Sequence, residues 1–256
     1  SIKGIVTEAF WDRGVRITSA YAANAVPVAE YTLSQIIFSL KRGWYYVMKI
    51  KDEGKRTSKV NVPGGVFDFV PGAYKSTVGI ISLGMIGRMV CEHLKRFDVN
   101  ILAYDPYVDE DDVKKLGVKF CSLEDIFKRS DVVSLHTPWL KETEGMIKGK
   151  HFELMKKNAT FINTARGAVV REKEMIDILK KRPDLFALLD VTYPEPPEEG
   201  SPLYSLSNVI LTPHIAGSMA RECRRMGRYM VDEMERYMDN KSLKWEINRE
   251  KAKILA

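Results

Sequence analysis

The chain is poor in the residues that announce metal, disulfide or membrane chemistry. It has three cysteines in 256 residues, Cys91, Cys121 and Cys223. They lie far apart without CxxC spacing and read as small apolar side chains rather than bridges or ligands. Histidine is almost as scarce, four in all, and no spacing of His, Cys, Asp and Glu suggests a metal site. No apolar run approaches the length that crosses a bilayer, and Ser1-Ile2-Lys3-Gly4 lacks the charged-then-apolar pattern of a secretory signal. Internal repeats and low-complexity segments are also missing. These absences lead to the expectation of a globular, cytoplasmic protein with no metal and no membrane partner, long enough for one large or two modest domains.

Nor is there a concentrated charge of one sign. The net charge is +6, but lysine and arginine alternate with aspartate and glutamate along most of the chain. The densest basic run, Arg221 to Arg228, lies in a methionine-rich helical stretch followed by Asp232, Glu233 and Glu235. That is a solvated helix face, and nucleic acid is not expected as a partner. Mild positive charge suits anionic cofactors and substrates.

What is present centres on Thr77 to Leu94, TVGIISLGMIGRMVCEHL. Val78 to Ser82 is a short apolar run with β-branched residues, and Met85, Ile86, Met89, Val90 and Leu94 then recur at helical spacing. A buried strand therefore enters a helix through Leu83-Gly84-Met85. Gly84 and Gly87 fill the second and third positions of GxGxxG, where a missing Cβ lets backbone N–H groups approach a pyrophosphate at a helix N-terminus. The first position is Ser82, so the tight turn must be made by a residue with a side chain. A second β-rich run, Asn100 to Tyr104, ends in Asp105, placed to accept hydrogen bonds from an adenosine ribose. Pro106 and Tyr107 follow, with no arginine for a 2′-phosphate, which points to NAD rather than NADP.

Taken in order, Thr7 to Arg13 reads as a short helix and Val15 to Thr18 as a brief strand whose partners are absent from the sequence. A long helix is expected from Pro27, at its first turn, through Val28, Tyr31, Ile36, Ile37 and Leu40 to Tyr46. Lys51 to Tyr74 reads as a loop or arm, and Trp44, Tyr45, Phe67 and Phe69 in or near it could hold a partner subunit. Strands then alternate with helices: strands at 100–104, 117–120, 131–135, 159–163, 185–189 and 208–212, with helices from Ser122, at 149–157 and at 171–181. Ser122 with Asp125 resembles a capping box. A helix is expected over Met219 to Met238, running away from the sheet, and the tail beyond it shows no period. His93 and His151 fall on helices, where surface positions suffice. The alternation implies an α/β fold, a parallel sheet wound on both faces, with ligands at the carboxyl ends of the strands. His136 to Pro138, Thr164 to Gly167, Asp190 to Pro196 and Thr212 to Ser218 all fall at such ends.

Seven segments carry a more specific signal: Ala23-Asn24-Ala25-Val26-Pro27-Val28-Ala29-Glu30, GIISLGMIG, AYDPY, LHTPWLKET, FINTARGAVV, LLDVTYPEP and LTPHIAGS. In order and spacing they resemble the NAD-dependent D-2-hydroxyacid dehydrogenases, over about Gly14 to Leu243. The resemblance implies a Rossmann-like NAD-binding domain at 25–218. Residues 1–24 would be a remnant of a flavodoxin-like substrate domain, and 219–256 a helix and tail returning to it. It also implies a homodimer formed through the NAD domain and a small anionic 2-oxo or 2-hydroxy acid as substrate. Most of the family's substrate lobe is not in this sequence, so a molecule beginning at Ser1 would bind NAD but turn over poorly.

By the same resemblance Arg166, Glu195 and His214 are catalytic. A planar guanidinium suits a carboxylate beside a carbonyl. An imidazole can give and take the proton, and a carboxylate on its far nitrogen would favour imidazolium. Taken singly, Arg166 would equally cap the next helix and His214 fill a core; together at neighbouring strand ends the catalytic reading dominates. Glu198 and Glu199 are close to Glu195, but Glu195 directly precedes Pro196, and Thr192-Tyr193-Pro194 departs from the family's usual residues there. For the cofactor the resemblance assigns Met85 and Ile86 to the pyrophosphate and Asp105 to the ribose. His136, Thr137, Pro138 and Thr143 would meet the middle of the dinucleotide, Thr164, Ala165 and Asp190 the nicotinamide, and Gly217 would let the loop after His214 pass closely. Rival readings are an NAD-sensing scaffold like the family's corepressor branch, and oxidation of formate or phosphite; Glu195 beside His214 argues against formate.

Overall fold

The computed structural model describes residues 5–54 and 70–254. Seven parallel strands form one sheet: β2 (Thr77–Ile81), β3 (Asn100–Tyr104), β4 (Lys119–Phe120), β5 (Val132–Leu135), β6 (Thr160–Asn163), β7 (Phe186–Leu189) and β8 (Val209–Leu211). Their spatial order is β4-β3-β2-β5-β6-β7-β8. The direction of winding reverses between β2 and β5, the position at which open α/β sheets form a crevice.

Both faces of this sheet are covered, so its strands are continuous apolar runs. Odd and even positions feed different layers. Ile81, Val133, Leu135, Phe161 and Leu189 pack with Phe127, Phe152 and Leu179 on one side. Val78, Ile80, Val132, Ile162 and Leu188 pack with Ile36, Leu40, Val90 and Leu94 on the other. The first layer rests on α6 (Leu123–Arg129), α7 (Gly149–Leu154) and α8 (Glu172–Lys181), the second on α2 (Tyr21–Leu40) and α4 (Met85–Leu94). The Ser122 hydroxyl accepts the Asp125 N–H at 3.1 Å and caps α6. A helix that the periodicity does not disclose, α5 (Glu110–Leu116), is capped by Asp109 and stopped by Gly117 in the left-handed region.

Several expectations need correction. Pro27 is not at a first turn: α2 begins six residues earlier, and Pro27 is buried in its interior. Its missing N–H leaves the Ala23 carbonyl without the usual partner, while burial of Ala22, Ala23, Ala25, Val28 and Ala29 holds the segment helical. The helix stops at Leu40 rather than Tyr46, because Arg42 turns left-handed (φ 55°) and its buried guanidinium bonds the Asn158 and Asp184 carbonyls. A second helix, α3 (Gly43–Glu53), then occupies the start of the expected arm. Phe67 and Phe69 lie outside the described residues. His151 is buried rather than superficial; its Nδ1 accepts the Lys148 N–H at 2.9 Å, and its ring stacks on Phe127.

The first strand does have a partner. β1 (Ile17–Thr18) pairs antiparallel with β9 (Glu246–Ile247), in the tail that showed no period, and α10 (Arg249–Ile254) follows. α1 (Glu8–Asp12) lies beside them, with Asp12 paired to Arg249 at 2.8 Å. The helix expected from Met219 starts as a 3₁₀ turn and becomes α9 (Cys223–Met238). It packs against α2. Trp245 stacks on Tyr229 and meets Tyr21 edge-on. Glu233, 3 % exposed, accepts the N–H groups of Lys244 and Trp245 at 3.0 and 2.9 Å, bending the chain back toward β1. Among the described residues no helix is long and apolar enough to cross a membrane. Removing both acceptors with Glu233→Ala leaves two backbone donors unpaired and should lower stability by about 2 kcal/mol in urea unfolding; Glu233→Gln should cost less.

Candidate active site

The site assembles along the carboxyl edge of the sheet. After β2, Ser82 adopts φ 75°, making the tight turn in spite of its side chain. Its hydroxyl bonds Thr137 Oγ1 at 2.9 Å, across the point where the winding reverses. A Cβ at Gly87 would overlap the Ser82 carbonyl oxygen, so this glycine lets α4 press against the end of β2. Gly84 differs: a Cβ there would meet no protein atom within 4 Å. The first helical bond runs from Arg88 N–H to the Gly84 carbonyl, so the N–H groups of Met85, Ile86 and Gly87 have no acceptor within the helix. Asp105, at the end of β3, accepts the Leu83 N–H at 2.7 Å and the Tyr107 N–H at 2.9 Å, tying the glycine loop to the neighbouring strand.

His136 at the end of β5 is buried. One ring nitrogen meets Ser134 Oγ at 3.0 Å; the other has no partner among the described residues. Burial pushes its pKa down to about 4, so the ring is neutral. Thr143 Oγ1 donates to the Pro138 carbonyl and accepts the Leu140 N–H, folding the Pro138 to Thr143 turn on itself.

At the ends of β6, β7 and β8 the residues singled out for chemistry approach one another. Glu195 Oε1 lies 2.6 Å from His214 Nδ1, and both side chains are open to solvent, 41 % and 49 % exposed. Arg166 follows β6, half-buried, with Nη1 donating to the Ala165 carbonyl at 2.6 Å. No carboxylate pairs with it among the described residues. A Cβ on the next residue, Gly167, would overlap the Thr192 backbone, so glycine brings the Arg166 loop against the loop that carries Glu195. Asp190 is 3 % exposed. Its Oδ1 accepts the Thr212 hydroxyl and the Ile215 N–H, its Oδ2 accepts the Ala216 N–H, and its carbonyl accepts the His214 N–H. These bonds hold His214 at φ 55°, a conformation a histidine rarely adopts. One acceptor position on Oδ2 remains for an outside donor. Gly217 passes against Asn24, whose Oδ1 takes the Ser218 N–H at 2.8 Å.

Arg166 and His214 thus stand at the ends of β6 and β8, with β7 between them rather than on adjacent strands as expected, and make no direct hydrogen bond to each other among the described residues. The residues that link their loops to the rest of the fold, Asn24, Tyr31, Thr32 and Thr212, were not among those singled out. For the three on α2, Asn24, Tyr31 and Thr32, the signal was available as polar residues recurring on the inner face of an otherwise apolar helix; Thr212, just after β8, carries no such pattern.

The D-isomer specific 2-hydroxyacid dehydrogenase NAD binding domain matches residues 53–216. The chain belongs to the D-isomer specific 2-hydroxyacid dehydrogenase family. It is 30% identical to a D-3-phosphoglycerate dehydrogenase of Archaeoglobus fulgidus over 91% of this chain and 43% of that protein. It is 38% identical to a glyoxylate reductase of Korarchaeum cryptofilum over 63% of this chain and 48% of that protein. The chain therefore spans about half the length of these relatives. D-lactate dehydrogenase with NAD+ from Lactobacillus jensenii shares the fold, with a TM-score of 0.79 at 24% identity, over 95% of this chain and 75% of that one.

NAD is the cofactor of this dehydrogenase domain, and its glycine loop fits a pyrophosphate. Space at Gly84 is open where a side chain would protrude, amides of Met85 and Ile86 are unused by the helix, and Asp105 retains acceptor capacity for a ribose hydroxyl. Gly84 and Gly87 should therefore separate in experiment. Gly87→Ala should cost about 2 kcal/mol or more in chemical unfolding. Gly84→Ala should unfold within about 0.5 kcal/mol of the parent yet weaken NADH binding about tenfold or more in fluorescence titration.

His136 predicts a pH dependence of stability. Its folded pKa lies below the unfolded value, so the unfolded chain binds the extra proton as pH falls from about 6.5 towards 4. Stability should fall over that window by about 3 kcal/mol, and melts of His136→Gln should show a shallower acid limb.

Proposed function

We propose that this dehydrogenase domain serves an enzyme that interconverts small D-2-hydroxy acids and 2-oxo acids. Bound NAD(H) supplies the hydride acceptor or donor. The remaining chemistry falls to the chain's own groups. Arg166, planar and unpaired with acid, binds the substrate carboxylate and polarises the adjacent oxygen. His214 gives that oxygen a proton in reduction and removes it in oxidation. Glu195 holds the imidazole through Nδ1, so Nε2 is the nitrogen turned to substrate, and it stabilises the imidazolium when the proton is held.

The observation that carries this reading is the 2.6 Å contact between Glu195 and His214 on two separate, solvent-open loops at the sheet's carboxyl edge. The pairing of β1 with β9 supports treating 1–24 and 219–256 as one unit beside the NAD domain, the side on which a substrate lobe would sit. A homodimer through the segment around α3 belongs to the same proposal, and light scattering would decide it. For catalysis, His214→Gln should bind NADH with unchanged affinity and lose about 10²- to 10⁴-fold in kcat, followed by NADH absorbance with a panel of 2-oxo acids. Full turnover in that variant would refute the role. A wild-type protein that binds NADH but reduces none of the acids would favour an NAD-sensing scaffold.

A further inference from the structure

Arg166 and His214 belong to different strands, yet a reaction that uses both needs their separation fixed to a fraction of an ångström. Two consecutive residues of α2 supply a common reference. Thr32 Oγ1 bonds Thr164 Oγ1 at 2.9 Å, two residues before Arg166. Tyr31 OH bonds Thr212 Oγ1 at 3.0 Å, two residues before His214. The Thr212 hydroxyl gives its proton to Asp190 at 2.6 Å, so the Tyr31 phenol is the donor to Thr212. Burial raises the Tyr31 pKa, which keeps that donor protonated around neutral pH. The chain of bonds then continues through Asp190 to the N–H groups of Ile215 and Ala216 on the far side of His214. Asn24 lies two turns before Tyr31 on the same face of the helix and fixes the Ser218 N–H.

These hydroxyls had an alternative. Ser and Thr on helices commonly bond back to their own helix, as Ser34 does to the Tyr31 carbonyl on the outer face. Tyr31 and Thr32 instead reach across to the strand ends, and Tyr31, Thr164, Asp190 and Thr212 line one small cavity between α2 and β6 to β8. We infer that Tyr31 and Thr32, backed by Asn24, are positioning residues that set Arg166 and His214 relative to each other by pinning both loops to one rigid helix. This inference rests on the roles proposed for Arg166 and His214, but the pinning itself can be read without turnover.

The test compares Tyr31→Phe, Thr32→Val and Thr32→Ser in the full chain. Amide hydrogen exchange should rise about tenfold at Ile215 and Ala216 in Tyr31→Phe, and at 164–167 in Thr32→Val, with β2 and β3 unchanged. Thr32→Ser keeps the hydroxyl and should restore parental exchange. In turnover, Tyr31→Phe and Thr32→Val should each lose about five- to tenfold in kcat while KM for NADH stays within about twofold, and Thr32→Ser should recover. Unchanged exchange in these loops, a rise spread evenly over the sheet, or a Thr32→Ser variant as impaired as Thr32→Val would overturn the inference. A parent protein without activity towards any 2-oxo acid would defeat the proposed function, and the exchange data would still decide the pinning.

Discussion

A carboxylate almost sealed from water has to find donors, and Asp190 finds them in the turn that presents His214. Leaving such a group unpaired costs several kcal/mol, more than a typical single mutation removes. That penalty outweighs the strain of a non-glycine residue in the left-handed region, which is of order 1–3 kcal/mol. The conformation of His214 is thus set by the solvation needs of a neighbour rather than by its own preference. The Glu195 contact is available because the imidazole is already aimed, and the Arg166 loop reaches the same place because Gly167 leaves room against Thr192.

The glycine loop follows a different logic within the same edge. Gly87 answers to the protein, since the Ser82 carbonyl occupies its missing side chain's place, whereas the position beside Gly84 answers only to something outside the protein. One motif therefore contains a packing requirement and a ligand requirement three residues apart. Ser82 shows that the tight turn tolerates a side chain when its hydroxyl is used, here in a bond to Thr137 that joins the two halves of the sheet.

Where the governing interaction is local, the amino-acid order was enough. The strand-loop-helix at Thr77 to Leu94, the cap at Ser122 and the alternation of strands and helices depend on neighbours within a few residues, and each was legible. The strand ends were legible too, because a parallel sheet delivers them to one edge whatever the side chains do. Pro27 misled because a preference for first turns is weak beside the burial of five flanking residues. Tyr31 and Thr32 read as ordinary helix positions because their partners, Thr212 and Thr164, are more than a hundred residues away. His151 looked superficial for a similar reason: the ring that covers it, Phe127, belongs to another helix.

The ribbon of β1 and β9 is the extreme case, a pairing of two residues with two, buttressed by Arg16 and Glu246 across a sequence separation of 230. Such a contact closes a very long loop for a small enthalpic return. On the way to the native state it is expected to form after the sheet has condensed, once the ends have been brought near by everything between them. Under heat or tension it is the first place from which the molecule would come apart, leaving the nucleotide crevice intact while its flank opens.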